Sequence, residues 1–295
     1  MKTQVAIIGS ATRDRIVDGA ESRLKWGGGV VYAGMTLSRL GVVAGVLTNI
    51  ATRDRRLLDL LSGAGIAVEA GDSERTTEFV NHVSGDARRQ ELLACASPIS
   101  QSQVAAITAR AEDVYLGSLH PFDIEPEAVE ALRQGVRRVA VDIQGYTRQV
   151  VGREVYSGVS EHVRSVLAQA DIVKASREET EAVESFCGQP LTAILREFDI
   201  EQWLTTDGTR GGWVLDQSGA RHDFSAVPVE QVADPTGAGD VFFAAYQASH
   251  LYEGTGIDEA LHEASALTAR HVQGRFITAD ELVRDNPQAT SRSRS

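Results

Sequence analysis

Residues 234–240 read Asp234-Pro235-Thr236-Gly237-Ala238-Gly239-Asp240 and run directly into the apolar stretch Val241-Phe242-Phe243-Ala244-Ala245-Tyr246. Glycines at 237 and 239 let the backbone turn tightly where a helix begins, so unpaired amide N–H groups and the positive end of the helix dipole face one point. A phosphate fits there. Asp240, at the edge of that point, is placed to take a proton from an attacking hydroxyl as a phosphoryl group is transferred. A turn that merely caps a helix, with Asp240 as its N-terminal carboxylate, produces a similar short string. The complete seven-residue string, and its agreement with other segments, favours the phosphate reading.

Neighbouring nucleotide motifs do not fit. No Lys-Ser or Lys-Thr follows the glycines, as a P-loop requires. The N-terminal run Val5-Ala6-Ile7-Ile8-Gly9 continues as Ser10-Ala11-Thr12, which is not the GxGxxG of a dinucleotide site.

Apolar runs bounded by turn residues recur at 5–8, 42–47, 114–116, 139–141, 172–173 and 203–204. Helical periodicity falls between them, at 30–40, 55–61, 103–109, 127–133, 160–169, 178–185, 191–197, 239–250 and 258–271. Such alternation predicts an α/β fold of three layers, α/β/α, with a mainly parallel central sheet. Two stretches break the rhythm, at about 12–27 and 75–95. The second alternates around Ser84-Gly85-Asp86 as a hairpin does. Together they predict a small β lid on a single domain spanning 1–285, and residues 286–295, ending Ser-Arg-Ser-Arg-Ser, read as a frayed tail.

With 42% hydrophobic residues in 295, the chain can bury a large core. A formal charge of −12 argues against nucleic acid or an anionic membrane as partner. Cys95 and Cys187 lie far apart in the sequence and read as reduced thiols. The seven histidines show no metal-ligand spacing. No apolar run approaches the ~18 residues of a membrane span and no signal-peptide core follows Met1, so the expected location is the cytoplasm.

On these residues the chain resembles the ribokinase/PfkB carbohydrate kinase family over nearly its whole length. DPTGAGD is the most specific element. Gly27-Gly28, followed by the helix ending Ser38-Arg39-Leu40-Gly41, is similar to the family's N-terminal signature. Ser176-Arg177-Glu178-Glu179 is similar to its N-x-x-E element, and Thr206-Asp207-Gly208-Thr209-Arg210-Gly211 to its T-x-G-x-x-G nucleotide loop.

The resemblance implies a kinase that moves the γ-phosphate of ATP to a hydroxyl. It implies Asp240 as base and the amides of Gly237, Ala238 and Gly239 as anion hole. Nucleotide contacts fall to Thr206, Gly208, Gly211 and Thr236, and Mg²⁺ to Glu179 through water. Ser176 stands where the family has asparagine, and a hydroxyl offers the metal no carbonyl oxygen. Asp234 is the residue implied for a monovalent cation such as K⁺. The acceptor would meet Asp14, placed at the end of the first strand, with Gly27 and Gly28. Tyr32 replaces a common asparagine, giving one O–H and an apolar face. Asp142-Ile143-Gln144-Gly145-Tyr146-Thr147-Arg148 resembles an inositol-type subset of these kinases, with Arg148 available to a phosphate. The expected substrate is an inositol-like polyol. A nucleoside is the alternative acceptor, and a catalytically silent sugar- or nucleotide-binding protein the alternative of another class. Pairing through the lid would give a homodimer.

Overall fold

In a computed structural model, residues 2–19, 21–84 and 87–283 are described. The turn residues Gly85 and Asp86 and the C-terminal tail lie outside them. In chain order the strands are β1 (Thr3–Gly9), β2 (Thr12–Asp18), β3 (Glu21–Gly27), β4 (Ala44–Ala51), β5 (Ala67–Ser73), β6 (Glu78–Ser84), β7 (Ala87–Ala94) and β8 (Ala111–Gly117). They continue as β9 (Arg138–Asp142), β10 (Arg148–Val151), β11 (Glu154–Ser157), β12 (Ile172–Ser176), β13 (Gln202–Thr206), β14 (Gly212–Asp216) and β15 (Arg221–Phe224). The α-helices are α1 (Gly29–Arg39), α2 (Arg56–Gly63), α3 (Gln101–Thr108), α4 (Pro126–Val129) and α5 (Val163–Leu167). After them come α6 (Arg177–Cys187), α7 (Leu191–Phe198), α8 (Ala238–Gln247), α9 (Ile257–Val272) and α10 (Ala279–Leu282).

Nine strands form the central sheet in the order β15-β14-β13-β12-β9-β8-β1-β4-β5. Every pair from β13 to β5 is parallel, and at one edge the pairs β13–β14 and β14–β15 are antiparallel. Successive side chains of a strand point to opposite faces. In β1 this sends Val5 and Ile7 into a core shared with α1, α2, α8 and α9, and Ala6 and Ile8 into a second core under α3 to α7. Burial on both faces explains why the strands read as unbroken apolar runs.

The remaining six strands make a second sheet, β10-β11-β7-β6-β2-β3. It contains both irregular stretches and also the hairpin β10–β11, which the sequence pattern does not reveal because each arm is four residues long. β1 sits where the strand order reverses, flanked by β4 and β8. Open α/β sheets bind ligands in the crevice at that point, beyond the carboxyl ends of the strands. Here the second sheet rises over it.

Candidate active site

A cavity of about 700 Å³ occupies this crevice. One wall is the second sheet, through Asp14, Ile16, Ser22, Arg23, Phe79, Asn81, His82, Arg89 and Gln90. The opposite wall is the turn 233–240 with Asp142 and Lys174, and Arg148, the first residue of β10, lines the cavity from the end of the second sheet. Asp14 lies inside β2 and not at the end of the first strand, because β1 ends at Gly9 and the chain turns at Ser10-Ala11 to enter the second sheet at Thr12.

The turn is built as the sequence implies. Gly237 is the N-cap of α8 at φ 79°, a conformation that costs a side-chain-bearing residue. A Cβ at this position would fall 2.4 Å from the Tyr32 ring. Gly237→Ala is therefore expected to destabilise the protein by about 1–3 kcal/mol and to lower turnover with it. A melting curve beside a rate measurement checks this, and a wild-type melting temperature would contradict it.

The anion hole differs in one donor. Ala238 N–H donates to Pro235 O at 3.2 Å, so Gly237 and Gly239 supply the amides of the expected trio that remain free among the described residues. Thr236 N–H is likewise spent on Asp234 Oδ1, at 2.9 Å.

Lys174 is not singled out by sequence, and Asp142 only as the first residue of the string ending at Arg148. Lys174 Nζ donates to Asp142 Oδ2 at 2.9 Å, with both side chains buried. A Cβ on Gly239 would lie 2.8 Å from the same ammonium, so the charge stands beside the anion hole. The signal available was a lysine inside the apolar strand Ile172-Val173-Lys174-Ala175, since a buried lysine needs a partner. Arg148 is the second cation here. Its Nη1 donates to Leu119 O at 3.1 Å, and it forms no ion pair among the described residues. Burial holds its pKa below the ordinary guanidinium value.

Burial pushes Asp240 up to about 7, with the charge of Asp142 adding and Lys174 and Arg148 opposing. That places it near the value suited to a base at neutral pH. Asp14 is pushed up to about 6 by burial, against the pull of Thr12, Lys25 and Arg148. Its Oδ1 and the Tyr32 hydroxyl are buried and meet no hydrogen-bond partner among the described residues. Buried polar atoms are normally paired. Two orphans lining one cavity are therefore natural contacts for acceptor hydroxyls.

Not every expected residue joins this wall. Gly27 is not part of its lining, and a Cβ there would fall 2.8 Å from Asp14 Oδ2. Ser176 and Glu179 form a reciprocal capping box at the start of α6: Glu179 N–H donates to Ser176 Oγ at 3.1 Å and Ser176 N–H to Glu179 Oε2 at 2.7 Å. Thr206, Gly208 and Gly211 also lie off the cavity. Their loop is closed by Asp207, which accepts from Arg177 at 2.7 Å and Arg210 at 2.5 Å. Arg177 and Arg221 both lie against the Trp213 ring, 5.1 and 4.4 Å from its centroid.

A buried carboxylate, a turn with two free amides and two buried cations thus meet in one cavity of an α/β scaffold, an arrangement suited to phosphoryl transfer to a hydroxyl group. A family profile described as pfkB family carbohydrate kinase matches residues 2–277, and the chain belongs to that family. No curated protein sequence matches it. Among solved structures, it is similar to a pyrophosphate-dependent kinase in the ribokinase family, in a sulfate complex. The two share 26% identity and a TM-score of 0.80, over 91% of this chain and 95% of that one. A pyrophosphate-dependent kinase in the same family, complexed with a pyrophosphate analog and myo-inositol, gives 25% identity and a TM-score of 0.80 over the same shares. Arabidopsis thaliana ribokinase complexed with ribose and ATP shares the fold at 19% identity, TM-score 0.74, over 96% of each chain. No helix among the described residues is long and apolar enough to cross a membrane.

Proposed function

We propose that the protein phosphorylates a hydroxyl of an inositol-like polyol and that its donor is pyrophosphate. The carrying observation is the asymmetry of the donor end. Lys174, Arg148 and the Gly237 and Gly239 amides face the cavity, whereas the nucleotide loop is closed on Asp207 by two arginines and lies off it. Phosphates are provided for at that end of the cavity. The similarity to pyrophosphate-dependent kinases, one of them complexed with myo-inositol, supports the same donor and acceptor. ATP remains the second reading, favoured by the Thr206 to Gly211 pattern itself.

A nucleoside acceptor fits less well. The face of Tyr32 is covered by Gly237 and its ring meets His271 edge-on at 5.6 Å, so the hydroxyl is offered to a ligand and the π-face is not. A polyol would bind under the second sheet, acting as lid, with hydroxyls on Asp14 Oδ1 and Tyr32 Oη.

Asp240 takes the proton of the attacking hydroxyl as its oxygen bonds to phosphorus, and the bridging P–O bond breaks to release orthophosphate. The Gly237 and Gly239 amides and Lys174 hold the charge that develops on the transferring group. Mg²⁺ suits a site with few protein ligands, because it keeps much of its water and binds donor oxygens. No cluster of three or more ligating side chains exists among the described residues. Glu179, whose Oε1 is not used by the capping box, is the carboxylate that would hold its water. Bound there, the ion would neutralise charge on the donor phosphates.

Phosphorylated product should therefore form from Mg-pyrophosphate and myo-inositol at least about tenfold faster than from Mg-ATP, a difference near 1.4 kcal/mol. Ribose, hexoses and adenosine should serve poorly. Turnover with ATP alone would sink the donor assignment, and turnover with nucleosides alone the acceptor. No product from any pair would favour a silent binding protein.

A further inference from the structure

The anion-hole turn is braced from behind by a cation belonging to the second sheet. Lys25 lies in β3 and donates from Nζ to Asp234 Oδ2 at 2.6 Å, joining residues 209 positions apart. The lysine side chain is 4% exposed and the aspartate 15%, so the pair is screened little by solvent. Tyr32 covers it, with the ammonium 5.5 Å from the ring centroid.

Several oxygens at and behind this turn are already engaged. Asp234 Oδ1 accepts Thr236 N–H at 2.9 Å. Val272 O accepts the N–H groups of both Ala233 and Asp234, at 2.8 and 3.2 Å. Thr236 O accepts His271 Nε2–H at 2.9 Å. A K⁺ ion at Asp234 would have to break these bonds and also stand next to the ammonium. Like charges held that close repel, and burial leaves the repulsion little screened. The residues present do not fit the monovalent cation that the sequence pattern implies at Asp234.

We propose that Lys25 is the resident cation of this turn, a positioning residue that holds Asp234, and through it the anion hole, so that turnover needs no monovalent cation. Because Lys25 is carried by the second sheet, one ion pair sets both the seating of the lid and the aim of the Gly237 and Gly239 amides. A lid strand displaced from the turn would take the cation with it.

The inference rests on the phosphotransferase reading for its assay, and the two fail differently. If no donor and acceptor pair gives turnover, the kinase reading falls. The present one is then decided by calorimetric binding of pyrophosphate, which should be equal in choline and potassium buffers of matched ionic strength. With turnover in hand, the wild-type rate should agree within about twofold between choline, sodium and potassium chloride; stimulation by potassium overturns the proposal. Lys25→Ala should lose about 10–100-fold in kcat in choline buffer, the usual scale for misaligned supporting groups. Potassium or methylammonium should restore much of that loss. Lys25→Arg, which keeps the charge, should exceed Lys25→Ala with no cation added. An undiminished Lys25→Ala rate, or a loss that no cation restores, overturns the proposal. Should Lys25→Ala fail to fold, Lys25→Arg and the wild-type salt series decide.

Discussion

Replacing Asp240 by Asn is expected to lower kcat by about 10²–10⁴, the usual contribution of a positioned general base, while pyrophosphate still binds. The same substitution should stabilise the fold at pH 8. The carboxyl titrates at 3.8 when unperturbed and is pushed up to about 7 in the folded protein, chiefly by burial and then by Asp142. A group whose pKa is raised on folding favours the folded state fully below its unfolded value, and that advantage is lost as pH rises through the folded value. Asparagine carries no such dependence. The gain of Asp240→Asn over wild type should therefore be absent near pH 4, grow to about pH 7 and level off at about 4 kcal/mol. That corresponds to roughly 10 °C in Tm for a protein of this size. In the wild type, kcat/KM should rise with pH and level off above about 7, because that ratio reports the base in the free enzyme. A mutant equally stable at pH 5 and pH 8 relative to wild type would place Asp240 in a solvated setting and remove the basis for its role.

Much of this was legible in sequence, for physical reasons that also mark where legibility ends. Runs such as 5–8 and 139–141 are apolar without alternation because both faces of the central sheet are covered, so they stand out against their surroundings. β5, at the sheet edge, reads Ala67-Val68-Glu69-Ala70-Gly71-Asp72-Ser73 and is mostly half-buried, which leaves no apolar run to detect. The anion-site turn was readable because glycine is required there by geometry, at φ 79° and against the Tyr32 ring. Charge pairing was not readable. Lys25 and Asp234 lie 209 positions apart and Asp142 and Lys174 lie 32 apart, and nothing local fixes which acid meets which base. The resemblance of 206–211 to a nucleotide loop identified a loop correctly. It could not show that Asp207 is held by Arg177 and Arg210 on a part of the surface outside the cavity.

The lysine that sequence passed over carries the other large expected effect: Lys174→Met should lower kcat by about 10²–10³, the usual cost of removing one preorganised donor from a developing anion. Its ammonium is fixed before reaction by Asp142 at 2.9 Å and stands beside Gly239. Burial works against this charge, but Asp142, Glu179 and Asp240 together hold its pKa above the ordinary lysine value, so it stays protonated at working pH. Loss of the ammonium also leaves the Asp142 carboxylate uncompensated near Asp240. Since Lys174 pulls the Asp240 pKa down and Asp142 pushes it up, the acid limb of the kcat/KM profile should move to higher pH in Lys174→Met. It should move to lower pH in Asp142→Asn, where the push is removed. The double variant separates the two roles of the lysine. With both charges gone the limb should return toward the wild-type position, while kcat remains low because no ammonium meets the transferring phosphoryl group. A double variant that recovers kcat as well as the limb would reduce Lys174 to a neutraliser of Asp142. An unchanged rate in Lys174→Met would remove it from the reaction altogether.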